Sequence, residues 1–344
     1  MLSLGEEAKM RSLRSHERQM LFAGLAALGA MLLSDPAYAA DKVRLGLAWT
    51  PQAEFGGFYQ AQAEGLYNAA GLDVTIRPGG PQINTPQLII GGALDFAVLA
   101  NAFEQLNMVQ EGIPYVTVAA FSQRDPQIII SHQEMGFNTL ADLKGHPILL
   151  ASFARQSFWP FLRSKFSFTD DQIRPYTFSL QPFIQDKTLS QQGYLTVEPF
   201  ALARQGIKIT TFLLSDYGYN PYANVLIVSK KMVAEKPDVV QRFVDASIKG
   251  WSDFLKGPRE KALKLIIEGD PNYTRQDAEN TVATMKEHGI VDSGDALQLG
   301  IGAMTDARWK AIFDTMVDAG IYKPSLEYSS GYTTHFVNKK VGLP

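Results

Sequence analysis

Trp49 to Tyr67 reads WTPQAEFGGFYQAQAEGLY, a strand end, a loop and a helix in immediate succession. Ahead of it, VRLGLAW alternates Val43, Leu45, Leu47 and Trp49 with Arg44, Gly46 and Ala48, the period-two pattern of a strand buried in a sheet. Pro51 cannot donate to a ladder and biases Thr50 toward extended backbone, so the strand is expected to stop there with Trp49 and Gln52 at its carboxyl edge. Downstream, Phe55, Phe58, Tyr59 and Leu66 recur at helical spacing, and Gly65 supplies a stop before the next strand, LDVTIRP. In open α/β sheets ligands bind outside the carboxyl ends of the strands. This loop therefore carries an aromatic cluster to the edge where such sheets bind.

Working outward, Asp41 to Ser122 reads strand, helix, strand, helix, strand, helix, strand. Asn84 and Pro86 cap and open a short helix, LDFAVLA ends at Asn101, and Gly112 stops the helix that begins at Ala102. Alternating βα units of this length predict an α/β fold with a right-handed, doubly wound parallel sheet. Ser122-Gln123-Arg124-Asp125-Pro126 interrupts the pattern, and a second α/β series follows: QIIIS, HPILLAS, GYLTV and ITTFLLS read as strands. The turn-rich run Asp216 to Tyr222 then leads into NVLIVS. Two short crossovers thus bracket an inserted domain, with one lobe expected at 40–124 and 220–344 and the other at 125–219. From Met232 the chain reads as a helical C-terminal region, whose apolar stripe from Val239 to Phe254 is explained by core packing.

The composition sets further limits. The chain has 344 residues, of which 46% are hydrophobic and 19% charged, enough for two cores. The first 39 residues combine a basic segment (Lys9, Arg11, Arg14, Arg18), an apolar run from Met20 to Leu33 and the small-x-small site Ala37-Tyr38-Ala39. They read as a signal peptide cut after Ala39, too short in its apolar run for a membrane span. Without cysteine there is no disulfide framework, no thiolate metal site and no lipid-bearing cysteine, so a periplasmic location is expected. Net charge is -3, which argues against a nucleic-acid partner. No GxSxG, HExxH or GxxxxGK[ST] motif is present, and His16, His132, His146, His288 and His335 are scattered without a second metal-type ligand at helix or loop spacing.

WTPQAEFGGFYQAQAEGLYNAAGLDVTI, then GGP, GGALDFAVL, LADLKG and TVEPFALARQG, together resemble the periplasmic substrate-binding proteins of ABC importers in the SsuA/THI5-like group, related to thiamine pyrimidine-precursor synthases. LADLKG is common to many binding proteins; the first stretch is more specific. The resemblance implies a two-lobed periplasmic binding protein fold of type II, whose lobes close over a small ligand. It also implies a partner, an inner-membrane permease with its cytoplasmic ATPase, served by a monomeric carrier. The synthases of this group hold pyridoxal phosphate on a lysine, consume a histidine and need a cysteine-rich iron site. From Asp95 to Tyr115 this chain has neither Lys nor His, and it has no Cys, so it is expected to be no enzyme and to carry no cofactor.

Candidate ligand-binding residues follow from the cleft such a fold would have. The first lobe offers Trp49, Gln52, Phe55 and Tyr59 in the opening loop and Asn101 at the end of a strand. The second offers Phe153, Arg155 and Gln156 at one strand-to-helix corner and Glu198 at another, where a carboxylate can accept two N–H bonds or simply cap its helix. The crossovers offer Gln123, Asp216, Tyr217 and Tyr219, with Arg124 and Asp216 alternatively forming an interlobe ion pair. Aromatic faces with one acidic group favour a flat neutral or cationic heterocycle, such as a pyrimidine precursor of thiamine or a flavin. An alkanesulfonate, taurine or nitrate-type oxoanion is the alternative, and Arg155 is the residue that would hold it.

Overall fold

The computed structural model describes residues 40–343, so the signal-peptide reading lies outside the described residues. Among those residues no helix is long and apolar enough to cross a membrane. Ten strands among the described residues form two five-stranded sheets. The first contains β1 (Asp41–Gly46), β2 (Leu72–Arg77), β3 (Phe96–Asn101), β4 (Tyr115–Ser122) and β10 (Ala223–Ser229) in the order β2-β1-β3-β10-β4. The second contains β5 (Gln127–His132), β6 (Ile148–Leu150), β7 (Ile173–Pro175), β8 (Ser190–Tyr194) and β9 (Ile209–Leu213) in the order β7-β6-β8-β5-β9.

Val43 and Leu45 of β1 are buried and pair in parallel with Val74 and Ile76 of β2, as their alternation requires. Each sheet differs from a purely parallel one by a single reversed strand. β10 runs antiparallel to both β3 and β4, and β5 antiparallel to both β8 and β9. The reason is topological: these are the strands that receive the chain directly from the other sheet, through a short crossover and without a returning helix. β1 also stops at Gly46, short of Trp49. The loop through Gly79 closes over the following residues, its N–H bonding the Trp49 carbonyl at 2.9 Å, while Leu47 N–H keeps one bond to Arg77 at 2.9 Å.

The helix after β1 breaks into a 3₁₀ turn, Ala53–Phe55, and the helix Gly56–Ala63. Gly65, at φ 69°, ends it, the left-handed conformation that glycine adopts without strain. The long helix Pro237–Lys256 packs on Gly56–Ala63, and the glycine pair makes this possible. A Cβ on Gly57 would fall inside the Trp251 indole, and one on Gly56 inside the Phe254 ring. Phe58 meets Trp251 edge-on at 6.1 Å, and Tyr67 stacks on Phe243 at 5.2 Å. The rings of the C-terminal helices are core, as their spacing predicts.

In the second sheet the strand expected at GYLTV lies earlier, at Ser190–Tyr194. Leu195 N–H bonds the Pro126 carbonyl and Val197 N–H the Tyr194 carbonyl at 3.0 Å, so the apolar residues Leu195 and Val197 belong to a tight turn, and the polar run SQQGY forms the ladder.

Candidate ligand-binding site

Three strand-to-helix corners meet across the gap between the two sheets. β1 feeds Trp49, Gln52, Glu54 and Phe55 into it, β3 feeds Glu104, and β8 feeds Tyr194, Thr196 and Glu198. They line a cavity of about 850 Å³, toward the upper end of the roughly 300–1,000 Å³ usual for small-molecule sites.

Glu198 opens the helix Glu198–Ala203, but its carboxylate turns back and accepts the Tyr194 N–H at 2.7 Å. Gly193 allows this fold-back, because a Cβ there would lie 2.9 Å from the Glu198 carboxyl carbon. Tyr176 lines the same cavity. Opposite Glu198, Glu54 takes a hydrogen bond from the Thr196 hydroxyl across the gap, and its carbonyl accepts from Asn224 at 3.0 Å. Gln192 holds the Ala151 N–H at 2.6 Å.

Burial pushes the carboxyls of Glu54, Glu104 and Glu198 each up to about 7. Asp125, buried and accepting the Gln127 N–H at 2.8 Å, is likewise raised to about 7 by burial, with the charge of Glu54 adding to it. The Tyr194 hydroxyl, buried among these acids, is pushed well above its ordinary value by burial first and their charges second. The lining includes Glu54, Glu104, Glu111 and Glu198 and contains no lysine, arginine or histidine. Its electrostatic character is that of an acceptor of hydrogen bonds and positive charge.

Of the residues expected at the site, Trp49, Gln52, Phe55, Phe153, Gln156 and Glu198 line the cavity. The others are used elsewhere. Tyr59 is buried in the core packed by the helix Gly56–Ala63. Asn101 caps the helix Ala102–Gln110, accepting the Phe103 N–H at 3.1 Å. Gln123 donates to the carbonyls of Ala120 and Ala303 at 3.2 and 2.8 Å and braces the first crossover. Arg155 is exposed and absent from the lining.

Asp216 pairs with Arg124, the ion-pair alternative, so both charges serve to tie one crossover to the other. Tyr217 packs edge-on against Phe166 at 5.9 Å. Tyr219 is fully buried among Phe103, Phe158 and Phe161. The crossover candidates lie outside the lining because short connections between two sheets are taken up by bonds, as at Gln123 and Asp216, or by ring packing, as at Tyr217 and Tyr219.

Sequence reasoning passed over Glu54, Glu104, Tyr176, Phe178, Gln192, Tyr194 and Asn224. Glu54 and Glu104 were within reach, since both stand at the strand-to-helix corners already singled out. Gln192 and Tyr194 were hidden by the displaced strand. Phe178 has no local signal at all: it sits in a loop at φ 63° and meets Trp49 across the gap, ring centroids 4.8 Å apart.

Two mixed sheets, two crossovers and a ligand-sized cavity between them define the periplasmic binding protein fold. The chain belongs to the NMT1/THI5-like family, whose model matches residues 52–261. It is 25% identical over 314 residues to a riboflavin-binding protein of Chloroflexus aurantiacus, covering 86% of each chain. It is 24% identical over 240 residues to a formylaminopyrimidine-binding protein of Halalkalibacterium halodurans, covering 67% of this chain and 72% of that one. A Candida albicans protein described as having the generic periplasmic binding protein fold superposes with a TM-score of 0.62 at 13% identity, over 85% of this chain and 96% of the other.

Proposed function

We propose that this protein captures a planar nitrogen heterocycle outside the cytoplasm, by closure of its two lobes, and hands it to an inner-membrane permease, making and breaking no bond itself. The observation that carries this reading is the charge of the lining: four glutamates and no cationic side chain. An aminopyrimidine-type edge donates N–H bonds and accepts protonation at its ring nitrogen, so it complements carboxylates that are half ionised near pH 7. A sulfonate or nitrate would instead face like charges, a juxtaposition that costs several kcal/mol.

Trp49, Phe55 and Phe178 supply the flat faces, and the lobes' separate contributions give closure its driving force, since ligand contacts from both walls exist together only in the closed form. The relatives named for riboflavin and formylaminopyrimidine add support for the same ligand class. A thermal-shift screen of aminopyrimidines, flavins, taurine, alkanesulfonates and nitrate tests it. Stabilisation by the heterocycles is the expected result; a response confined to the oxoanions would overturn it.

A further inference from the structure

Both walls of the cavity are tied to a pair of hydroxyls that lies outside it. Tyr273 precedes Thr274, the cap of the helix Arg275–Glu287, and Thr281 lies within that helix. Both side chains are buried and neither lines the cavity. The Tyr273 oxygen accepts the Ala53 N–H at 3.3 Å, the two hydroxyls stand 2.8 Å apart, and the Thr281 hydroxyl donates to the Thr196 carbonyl at 3.1 Å. A carbonyl cannot donate, so the single Thr281 proton goes to Thr196 and Tyr273 supplies the proton between the hydroxyls. The bonds therefore run in one direction from the first wall to the second, an arrangement in which each polarises the next. The Thr196 hydroxyl returns to Glu54, the residue after Ala53.

A second tie runs beside this chain. Asp277 divides its oxygens: Oδ2 accepts from the N–H and hydroxyl of Thr274 at 3.0 and 2.7 Å and caps the helix, while Oδ1 pairs with Arg204, just beyond the helix Glu198–Ala203 of the second wall. The helix Arg275–Glu287 itself packs on the turn Ala53–Phe55, so it belongs with the first wall. All of these bonds join protein group to protein group.

We propose that Tyr273 and Thr281 are positioning residues that draw the second wall onto the first before a ligand arrives, so that the ligand-free protein populates the closed form. The inference rests on the lobe-closure part of the reading above and is independent of the ligand's class.

The chain has no cysteine, so two introduced ones report without ambiguity. Spin labels on Lys208→Cys and Lys264→Cys, both exposed and on opposite sides of the gap, give the distance between the lobes by double electron–electron resonance. A short-distance population is expected in the ligand-free protein. Thr281→Val keeps the shape of the side chain and removes its hydroxyl. The bond to Tyr273 lies within one lobe and is lost in both forms, so only the bond to Thr196 weighs on the balance, and the ratio of short to long distances should fall about fivefold. Thr281→Ser should restore it. Affinity for 2,4-diaminopyrimidine, the probe, should fall by the factor by which the short-distance fraction falls.

A ligand-free protein with the long distance alone, or a Thr281→Val variant with the parent's ratio, overturns the positioning pair. Should Thr281→Val lose the parent's circular dichroism, Arg204→Ala decides: the ratio is expected to fall about twofold, and an unchanged ratio overturns the proposal. The distances decide this whether or not the probe binds. If the probe binds Thr281→Val without raising its short-distance fraction, the closure reading beneath the proposal fails instead.

Discussion

The corner at 47–58 and the corner at 192–200 each end a strand, turn and open a helix on the cavity wall, yet they are braced in opposite ways. In the first, Gly56 and Gly57 lie directly against Phe254 and Trp251, and Gly250 on the long helix lies against the Gly57 carbonyl, so backbone and rings meet without slack. In the second, Gly193 gives way only to the side chain of its own Glu198, whose far side faces the cavity. One corner is therefore tied to the core and the other to whatever fills the site. Changes in the first should be read in stability, and changes in the second in affinity.

The largest effect that could break this contrast is at Gly57. Gly57→Ala places a methyl group inside the Trp251 indole, and the helix cannot retreat because Gly250 already touches its backbone. Overpacking of this kind costs about 1–3 kcal/mol, set against a helix-propensity gain of roughly 0.5–1 kcal/mol. Urea unfolding should show a net loss, with ligand affinity unchanged in the fraction that is folded. An alanine variant as stable as the parent would mean that the first corner is as loosely braced as the second.

At Glu198 the effect moves to binding. Glu198→Gln removes a charged acceptor, and a hydrogen bond to a charged group contributes about 1.5–3 kcal/mol, so heterocycle affinity at pH 8 should fall roughly ten- to a hundredfold, while unfolding at that pH should show no loss of stability and a gain, because the neutral amide removes a buried charge. The pH dependence sharpens the point. Burial raises the carboxyls of Glu54, Glu104 and Glu198 from 4.5 to about 7, so the ligand-free fold favours their protonated forms. Their contribution to stability is fully present below about pH 4.5 and is lost as pH rises through about 7. Affinity for a hydrogen-bond donor should run the other way, rising over that window as the carboxylates ionise. Titrations at pH 6 and 8 should show this rise in the parent and a shallower one in the glutamine variant; a rise of equal slope in both would remove Glu198 from the site.

The same contrast explains what the sequence disclosed. Period-two and helical spacing located eight of the ten described strands and the helix that carries Trp251, because burial writes apolar residues at regular intervals, and passed over the three-residue β7. It misplaced β8, where SQQGY is polar on a face that touches Gln192's partners and the cavity, and where the more apolar LTV turned out to be a turn. Strand-end reasoning found Trp49, Gln52, Phe55 and Glu198, but favoured rings over carboxylates and so passed by Glu54, three residues from Pro51. Phe178 reaches the mouth from a loop by a backbone conformation that no spacing encodes.

The smallest expected effect is at Arg155, and it separates the two ligand classes most cleanly. Arg155 lies in the 3₁₀ turn Ser152–Gln156, whose neighbours Phe153 and Gln156 line the cavity while its own side chain stands exposed and outside the lining. An oxoanion site would depend on such a guanidinium, through bidentate bonds that lysine or alanine cannot replace. A site of carboxylates and aromatic faces has no use for it. Arg155→Ala should therefore leave heterocycle affinity within about twofold and stability within about 0.5 kcal/mol, the range of ordinary surface substitutions. If the variant instead lost a sulfonate that the parent binds, the second lobe would be contributing a cation to the cleft after all, and the acidic wall would have to be screened from the ligand in the closed form.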